Sequence, residues 1–275
     1  MKQKFFMLAA ALIVAVAASA AKQRTYKVAQ FAAIKCSGAA SVVYNIGNQY
    51  SVKAVGEQDD IDQYVVANSG GTLLIQLKKK HRNNVGKVLF TVSAPLLNSL
   101  DLSGAPTFSA KTVKPEADFD LDMSGASKAE IKQLTLNGHL DLDASGASKL
   151  QLGSVSCARL DIDLTGASGL QGAISASGDV EVEASGASKL EGSISTKGRV
   201  RMETSGASKV QADLRAAEVS ASNSGASKVR INVECKRLHA NNSGASKMVL
   251  TGAADEVQLD QTGVSKYDTS GLNKF

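Results

Sequence analysis

Aromatic residues and proline are scarce in this sequence. It has no Trp and three Pro in 275 residues, and aromatic side chains make up 4% of the chain. Gly occurs 24 times, and Ala, Ser and Val are abundant. This composition is typical of regular β-structure with small-residue turns and unlike that of a helical enzyme.

Cysteine and histidine are too few and too scattered for a disulfide framework or a metal site. The three Cys are Cys36, Cys157 and Cys235. In the repeat described below, Cys157 and Cys235 would lie about 19 Å apart at the spacing of stacked strands, whereas a disulfide needs Cα atoms within about 7 Å. The chain also lacks Cys-x-x-Cys, a phosphate loop and a Gly-x-Ser-x-Gly elbow. We therefore expect three unpaired, mostly buried thiols, no metal and no cofactor.

Long apolar runs are confined to the N-terminus. Lys2 and Lys4 flank the start of an apolar stretch from Phe5 to Ala17, and Ala18-Ser19-Ala20 has the small-x-small pattern of a cleavage site. Residues 1–20 are therefore expected to be a Sec signal peptide, and no later segment predicts a transmembrane helix. The mature chain should be periplasmic, secreted or associated with the cell surface. Removing Lys2 and Lys4 lowers the net charge from +5 to +3, too little to indicate nucleic-acid binding.

A repeat centred on glycine runs through the C-terminal two thirds of the chain. Its commonest form is Ser-Gly-Ala-Ser-Lys, as in METSGASKV at 202–210. Positions are counted here from the glycine as zero. The glycines lie 19 to 21 residues apart, and they are Gly104, Gly125, Gly146, Gly166, Gly186, Gly206, Gly225, Gly244 and Gly263. Nine copies at one period indicate a repeat architecture.

Apolar and polar residues alternate within each repeat. Positions −6, −4 and −2 are apolar, as in Leu160, Ile162 and Leu164, and position +4 is apolar again, as in Leu150. This alternation predicts short strands with one buried face. Since one unit cannot bury its own apolar side, the units are expected to stack as coils. We predict an all-β, pectin-lyase-like solenoid, a parallel β-helix of about 20 residues per coil, and the spacing favours the right-handed form.

The small residues of the repeat are expected to build a corner between strands. Glycine suits a corner that needs positive φ or close backbone approach. The Ala at +1 would point into a narrow interior, and the hydroxyls at −1 and +2 would bond to backbone groups of the same or the next coil. The nine glycines are thus predicted to be structural turn residues.

Equal positions in stacked coils form columns, and two of these columns are charged. The +3 column has one gap, at Gly169, and consists of Lys128, Lys149, Lys189, Lys209, Lys228, Lys247 and Lys266. The −3 column begins at Asp101 and continues with Asp122, Asp143, Asp163, Glu183 and Glu203. Like charges about 4.8 Å apart repel, so we expect the two columns to offset each other across the corner as a solvated face. The alternative is a linear binding array for a repetitive polymer such as a glycan, or for an ordered surface matched by the serines.

The sequence gives little support for catalysis, because the same acidic groups recur in each coil and no single coil stands out as an active site. A glycoside hydrolase needs two carboxyls about 5–9.5 Å apart in unlike environments. Asp141 and Asp143 offer such a pair, but every coil repeats it, and the nearest break, Gly169, removes a lysine without adding a group. We predict no catalytic residues. A carbohydrate-active lyase or hydrolase and a purely structural envelope protein remain the alternatives to a binding protein.

Residues 21–100 lack the regular period but share its pattern. Ile34 and Cys36 stand at −4 and −2 of Gly38, which predicts a divergent first coil. Strand-like runs at 49–55, 61–67, 72–77 and 87–93 are separated by glycine-containing turns or by the basic loop at 78–84. The expected organisation is a signal peptide at 1–20, this irregular β region at 21–100 and the repeat β-helix at 101–275, whose open end Tyr267, Leu272 and Phe275 would cap.

The order of these pieces is similar to that of a known family. FAAIKCSGAASVVYNIG, GGTLLIQL, KVLFTVSAPLLNSLDLSGAP and the train of repeats resemble the Bacteroidetes family called putative auto-transporter adhesin, head GIN domain, over residues 28–270. The resemblance implies a right-handed, pectin-lyase-like β-helix and a role in cell adhesion, and it brings no catalytic residues. We expect an exported, non-enzymatic, adhesin-like protein that binds a glycan or another cell-surface polymer.

Overall fold

The computed structural model describes residues 22–79 and 84–274. The predicted signal peptide at 1–20, most of the basic loop at 78–84 and the terminal Phe275 lie outside the described residues. Within the described ranges, the chain forms 23 strands and one single-turn helix. It is therefore the all-β protein that the alternating pattern predicts.

Residues 22–94 form seven strands and the helix. These are β1 (Lys22–Tyr26), β2 (Ala33–Gly38), β3 (Ser41–Ile46), β4 (Ser51–Gly56), α1 (Gln58–Ile61), β5 (Tyr64–Ser69), β6 (Thr72–Leu77) and β7 (Leu89–Ala94). The four strand-like runs of the sequence correspond to β4, β5, β6 and β7.

The repeat region contributes the remaining strands. These are β8 (Ser99–Gly104), β9 (Thr107–Val113), β10 (Phe119–Met123), β11 (Lys128–Thr135), β12 (His139–Ala144), β13 (Lys149–Cys157), β14 (Arg159–Leu164), β15 (Gly169–Ala176), β16 (Val180–Ala184), β17 (Lys189–Ser195), β18 (Arg199–Thr204), β19 (Lys209–Arg215), β20 (Glu218–Asn223), β21 (Lys228–Asn242), β22 (Lys247–Gln261) and β23 (Lys266–Lys274).

The repeat strands stack in parallel, each on the equivalent strand of the next coil. The even strands from β8 to β20 form one side, and the odd strands from β9 to β19 form another. β21 and β22 are long enough to continue both sides. The predicted parallel solenoid with coils about 20 residues apart is confirmed, with about nine turns. The right hand inferred from the spacing stays a prediction.

The first coil, around Gly38, pairs with the first coil of the regular repeat. β2 pairs in parallel with β8 and brings Gly38 opposite Gly104, while β3 pairs in parallel with β9. On the other side of this coil, β6 stacks on β2 and β7 stacks on β3. Antiparallel strands β5, β4 and β1 then extend these layers. Because the antiparallel strands β5 and β4 cover β6 and β7, the N-terminal end does not present a bare coil edge.

The apolar positions of the repeat fill the interior. Leu160, Ile162 and Leu164 are at most 2% exposed, and the corresponding residues of the other coils are buried with them. Cys36 and Cys157 are buried and Cys235 is half-buried, all three unpaired as expected. Burial raises the pKa of the Cys36 thiol to about 12 and those of the Cys157 and Cys235 thiols to about 11.

The C-terminal end is partly covered by side chains predicted to cap it. The Tyr267 hydroxyl lies 2.8 Å from the carbonyl oxygen of Ala240 and 2.9 Å from that of Asp260. Leu272 packs against the core nearby. Tyr267 thus links β21 and β22 through its hydroxyl and packs against the core at this end.

A buried polar column replaces apolar residues at position −2 in the later coils. Asn223 and Asn242 are at most 1% exposed, and Asn223 Nδ2 donates to Asn242 Oδ1 at 3.0 Å. Asn242 Nδ2 donates to the carbonyl oxygen of Lys266 at 2.9 Å. The hydroxyls of Ser227 and Ser246 donate to the two amide oxygens. These amides therefore link three consecutive coils from inside the solenoid.

Candidate functional site

Each repeat glycine forms a tight corner stacked on the glycine of the preceding coil. The nine glycines have φ between +69° and +87°, the left-handed region that favours glycine. The backbone N–H at +1 donates to the glycine carbonyl oxygen of the preceding coil, at 2.6 Å for Ala126 and 2.7 Å for Ala187. A Cβ on Gly186 would lie 2.6 Å from the carbonyl oxygen of Gly166. The corner therefore needs glycine both for its φ and for the close approach of successive coils.

The orientation predicted for the corner alanine is wrong. Ala126 and Ala147 are exposed, whereas Ser127 and Ser148, at position +2, are fully buried. The lysine at +3 points outward, so strand alternation turns the serine at +2 inward and leaves the alanine outside. In the later coils the buried hydroxyl donates to the carbonyl oxygen three residues back, as Ser208 does to Ser205 at 2.5 Å. The hydroxyls, rather than the alanines, face the narrow interior.

The predicted lysines form one exposed column along the solenoid. Each lies opposite the +3 residue of the next coil, and Gly169 fills the gap between Lys149 and Lys189. All seven lysines are exposed. Lys189 forms an ion pair of 2.8 Å with Glu191 of its own strand. We refer to these residues as the lysine column.

The predicted acids form a column on the other side of the corner. Asp122, Asp143, Asp163, Glu183 and Glu203 lie opposite one another in successive coils, after Asp101. A second column at position −5 runs beside them and contains Asp120, Asp141, Asp161 and Glu181. We call the two columns together the acidic face. Partial burial, followed by the neighbouring carboxylates, raises the pKa values of Asp122 and Asp143.

The expected compensation between the two charged columns is not seen. Among the described residues, no ion pair joins the lysine column to the acidic face. The acids pair instead with cations on their own side, such as Lys35 with Asp101 and Arg201 with Glu203, and His139 Nε2 lies 2.8 Å from Asp161 Oδ2. The corner explains this result, because it places the two columns on different sides of the coil. The acidic face thus keeps much of its repulsion.

Neutralising two central acids should stabilise the fold. A raised folded-state pKa means that the ionised form is destabilising above that pKa, and that this cost is relieved as pH falls through it. We expect Asp122→Asn with Asp143→Asn to raise the free energy of unfolding at pH 7 by a few tenths to about 1 kcal/mol per residue, since solvent screens both groups. The gain over wild type should shrink as pH falls toward about 4.

Thermal unfolding at several pH values measures this effect. Asp255→Asn, an exposed residue away from the acidic face, serves as the matched control and should change little. A double variant less stable than wild type at pH 7 would show that the carboxylates make net favourable contacts.

A groove that sequence reasoning missed runs beyond the lysine column. It has a volume of about 780 Å³, and residues from Glu130 to Thr251 line it. Gln151, Gln171, Glu191 and Gln211 stand opposite one another along it, at position +5. The available signal was position +6, where glycine occurs in two consecutive coils, at 172 and 192, in place of the bulky residues of the earlier coils.

Other site classes find no support in the described part of the chain. Residues 22–79 and 84–274 contain no group of three or more His, Cys, Asp or Glu that could hold a metal ion. No helix within these ranges is long and apolar enough to cross a membrane.

Fold and surface together define a parallel β-solenoid that presents the same side chains once per coil. The family model of the putative auto-transporter adhesin, head GIN domain, matches residues 30–212 and 198–274, and the chain belongs to this family. Family membership supports an adhesin-like binding protein. No curated protein matches the chain.

Several solved structures share the fold. A putative adhesin from Parabacteroides distasonis ATCC 8503 has a TM-score of 0.60 at 16% identity, covering 90% of this chain and 97% of its own. A putative adhesin from Bacteroides fragilis NCTC 9343 has a TM-score of 0.50 at 18% identity, covering 90% and 96%. A putative lipid binding protein from Parabacteroides distasonis ATCC 8503 has a TM-score of 0.56 at 15% identity, covering 94% and 98%. At these identities the likeness shows the fold alone.

Proposed function

We propose that this protein is an exported, non-enzymatic, adhesin-like protein that binds an extended cell-surface polymer, with a glycan as the ligand class. The observation that carries the proposal is the in-register stacking of exposed side chains once per coil, over most of the solenoid. A polymer lying along the axis meets the same group at every coil, so that weak contacts add along its length.

The lysine column is the part of this surface suited to an acidic polymer. From Lys189 to Lys266 it places one exposed ammonium group on each coil, about 4.8 Å apart. An ammonium group donates hydrogen bonds and attracts carboxylates or sulfates without demanding one geometry. The acidic face would repel the same polymer and so favours binding on one side.

The repeated carboxylates argue for binding rather than hydrolysis. A glycosidase assigns unlike roles to two carboxyls, and this requires unlike environments. Here Asp122 and Asp143 both have pKa values raised by partial burial and neighbouring carboxylates. Reducing-sugar or unsaturated-product release from the polysaccharides tested below would instead support the carbohydrate-active alternative.

Binding to immobilised polysaccharides tests the proposal. Alanine at Lys189, Lys209 and Lys228 together is expected to weaken binding to polygalacturonate or alginate by about tenfold, if each exposed contact contributes about 0.5 kcal/mol. The matched control replaces three exposed lysines outside the column, Lys114, Lys197 and Lys236, and should bind like wild type.

Two results would count against the proposal. Unchanged binding of the triple column variant to every polysaccharide would remove the lysine column as the site. Labelling of the protein only after cell lysis, and never on intact cells or in the medium, would argue against an exported role at the surface.

A further inference from the structure

The groove beside the lysine column is long enough for several units of a polymer. It runs from Glu130 to Thr251 across seven coils, about 29 Å at the coil spacing. The +5 residues stand along it, and the residues at +6 and +7 form its floor. This surface is separate from the acidic face, which lies on the other side of the corner.

The repeat loses buried bulk along the middle of the groove. Position +6 is Ile131 and Leu152 in the earlier coils and Ile231 and Leu250 in the later ones, but Gly172, Gly192 and Ala212 occupy it in between. A Cβ on Gly192 would overlap the carbonyl oxygen of Gly172, so the two backbones lie close together. The register also shifts between Gln151 and Ser154, where the coil shortens by one residue. At this place the floor of the groove therefore consists of closely approaching backbone rather than of large side chains.

The wall of the groove offers uncommitted amides. Gln151, Gln171 and Gln211 are exposed, and no hydrogen bond within the described residues occupies their side chains. A primary amide both donates and accepts hydrogen bonds, as a sugar hydroxyl does.

The charges of the groove are largely paired. Glu191 forms an ion pair of 2.8 Å with Lys189, and Glu130 lies 4.0 Å from Lys132. Asp213 and Arg230 bring one further charge of each sign to the lining. The groove therefore has no uniform field that would select a polyanion or a polycation.

The single gap in the lysine column lies beside this groove. Gly169 lies on the same strand as Gln171, two residues before it and on the same outward side. Its φ is not left-handed, and the nearest atom to a Cβ placed there would be the Lys189 carbonyl oxygen at 3.8 Å. A side chain therefore fits at this position. Neither backbone strain nor crowding requires the glycine, unlike those of the corners.

We propose that the groove binds a single extended chain of an uncharged, hydroxyl-rich polysaccharide. The amides of Gln151, Gln171 and Gln211 hydrogen-bond to the sugar hydroxyls, and the gap at Gly169 leaves room for the chain beside Gln171. This inference rests on the proposed function and gives it a neutral ligand and a second, distinct surface.

Restoring the missing lysine gives a sharp test. Gly169→Lys is expected to weaken binding to neutral dextran, mannan or β-glucan by about tenfold or more, because the new side chain covers the groove beside Gln171. Gly169→Ala is the matched control, with a side chain too short to reach the groove, and should bind like wild type. Thermal unfolding of both variants should stay close to that of wild type, since the site is open.

A second variant tests the amides directly. Alanine at Gln151, Gln171 and Gln211 removes three exposed hydrogen-bonding groups and is expected to cost about tenfold or more in affinity for the same neutral chains. The triple lysine variant described above should keep its neutral binding. Gly169→Lys should bind anionic chains as well as wild type or better, because it completes the lysine column.

The outcomes separate this inference from the proposed function. Neutral chains that bind wild type, Gly169→Lys and the triple glutamine variant equally would overturn the groove as their site. Binding of wild type to charged chains alone would overturn the inference and leave the proposed function standing. Binding to no polysaccharide would overturn both.

Discussion

Gly186→Ala is expected to lower the free energy of unfolding by about 2–5 kcal/mol. Gly186 has a φ of +73°, which costs a residue with a Cβ about 1–2 kcal/mol. The added methyl would also lie 2.6 Å from the Gly166 carbonyl oxygen and 3.0 Å from its nitrogen. These backbone atoms cannot move away without weakening the hydrogen bond that the Ala187 N–H donates to that oxygen at 2.7 Å. Relief of the overlap must therefore disturb the stacking of two coils.

Chemical denaturation of Gly186→Ala beside Gly169→Ala measures this effect. Gly169 is three residues after the corner glycine of its own coil, with no left-handed φ and no close atom, so its alanine variant should be neutral or slightly stabilising. Equal stability of the two variants would contradict the account of the corner as a site that only glycine can occupy.

Asn242→Ala is expected to cost about 2–4 kcal/mol, because it leaves buried polar groups without partners. The Asn223 amide loses its shorter hydrogen bond and keeps only the Lys247 carbonyl oxygen at 3.4 Å, and the Lys266 carbonyl oxygen loses its donor at 2.9 Å. Ser246 keeps the carbonyl oxygen of Ser243 at 2.6 Å, so the loss is confined to the amide column. The damage should fall on the C-terminal coils, since a solenoid distributes its stability between neighbouring repeats.

The neighbouring Asn241 supplies the control for this prediction. It precedes Asn242 on β21 but is exposed, and Asn241→Ala should change the unfolding free energy by less than about 0.5 kcal/mol. Hydrogen exchange of β22 and β23 amides would locate the effect. Matching stabilities of the two variants would mean that the buried amides do not hold the last coils together.

Much of the fold could be predicted because its information is local and repeated. The alternation at Leu160, Ile162 and Leu164 gives the strand, and the spacing of the glycines gives the coil. Stacking then places equal positions opposite one another. The lysine column and the acidic column could therefore be predicted by counting positions from each repeat glycine. Gly38 could be placed in a first coil for the same reason, since Ile34 and Cys36 repeat the pattern.

The side-chain directions at the corner could have been obtained from the same rule. Lys128 is outside, so Ser127 must be inside and Ala126 outside. Alanine was instead assigned to the interior because its small side chain suits a narrow space, and this assignment ignored the strand alternation. The missing compensation between columns has a related cause, because the sequence shows how far Lys128 and Asp122 are separated along the chain but not that the corner turns them to different sides.

The groove could be located only from the three-dimensional arrangement of the coils. Gly172 and Gly192 stand at position +6 between the bulky Leu152 and Ile231 of other coils, but the sequence does not show that a groove runs over them. The antiparallel strands at the N-terminal end are equally hidden, because β1 pairs with β4, and β4 with β7, through contacts that no period encodes.

The proposed function thus assigns structural and binding roles to different residues of the repeat. The Gly and the buried Ser of METSGASKV build the corner, and their repetition follows from stacking one coil on the next. Its lysine belongs to an exposed column, and the groove lies where the repeat departs from its own rule, at Gly169, Gly172 and Gly192. The regular lysine column suits a charged polymer, whereas the groove, where the repeat changes, suits the neutral chain proposed above.

A crystal structure of the protein with a neutral oligosaccharide tests this separation most directly. The account predicts one sugar chain lying along the solenoid in the groove, within hydrogen-bonding distance of Gln151, Gln171 and Gln211 and passing beside Gly169. A chain bound on the acidic face or along the lysine column, with the groove unoccupied, would contradict it.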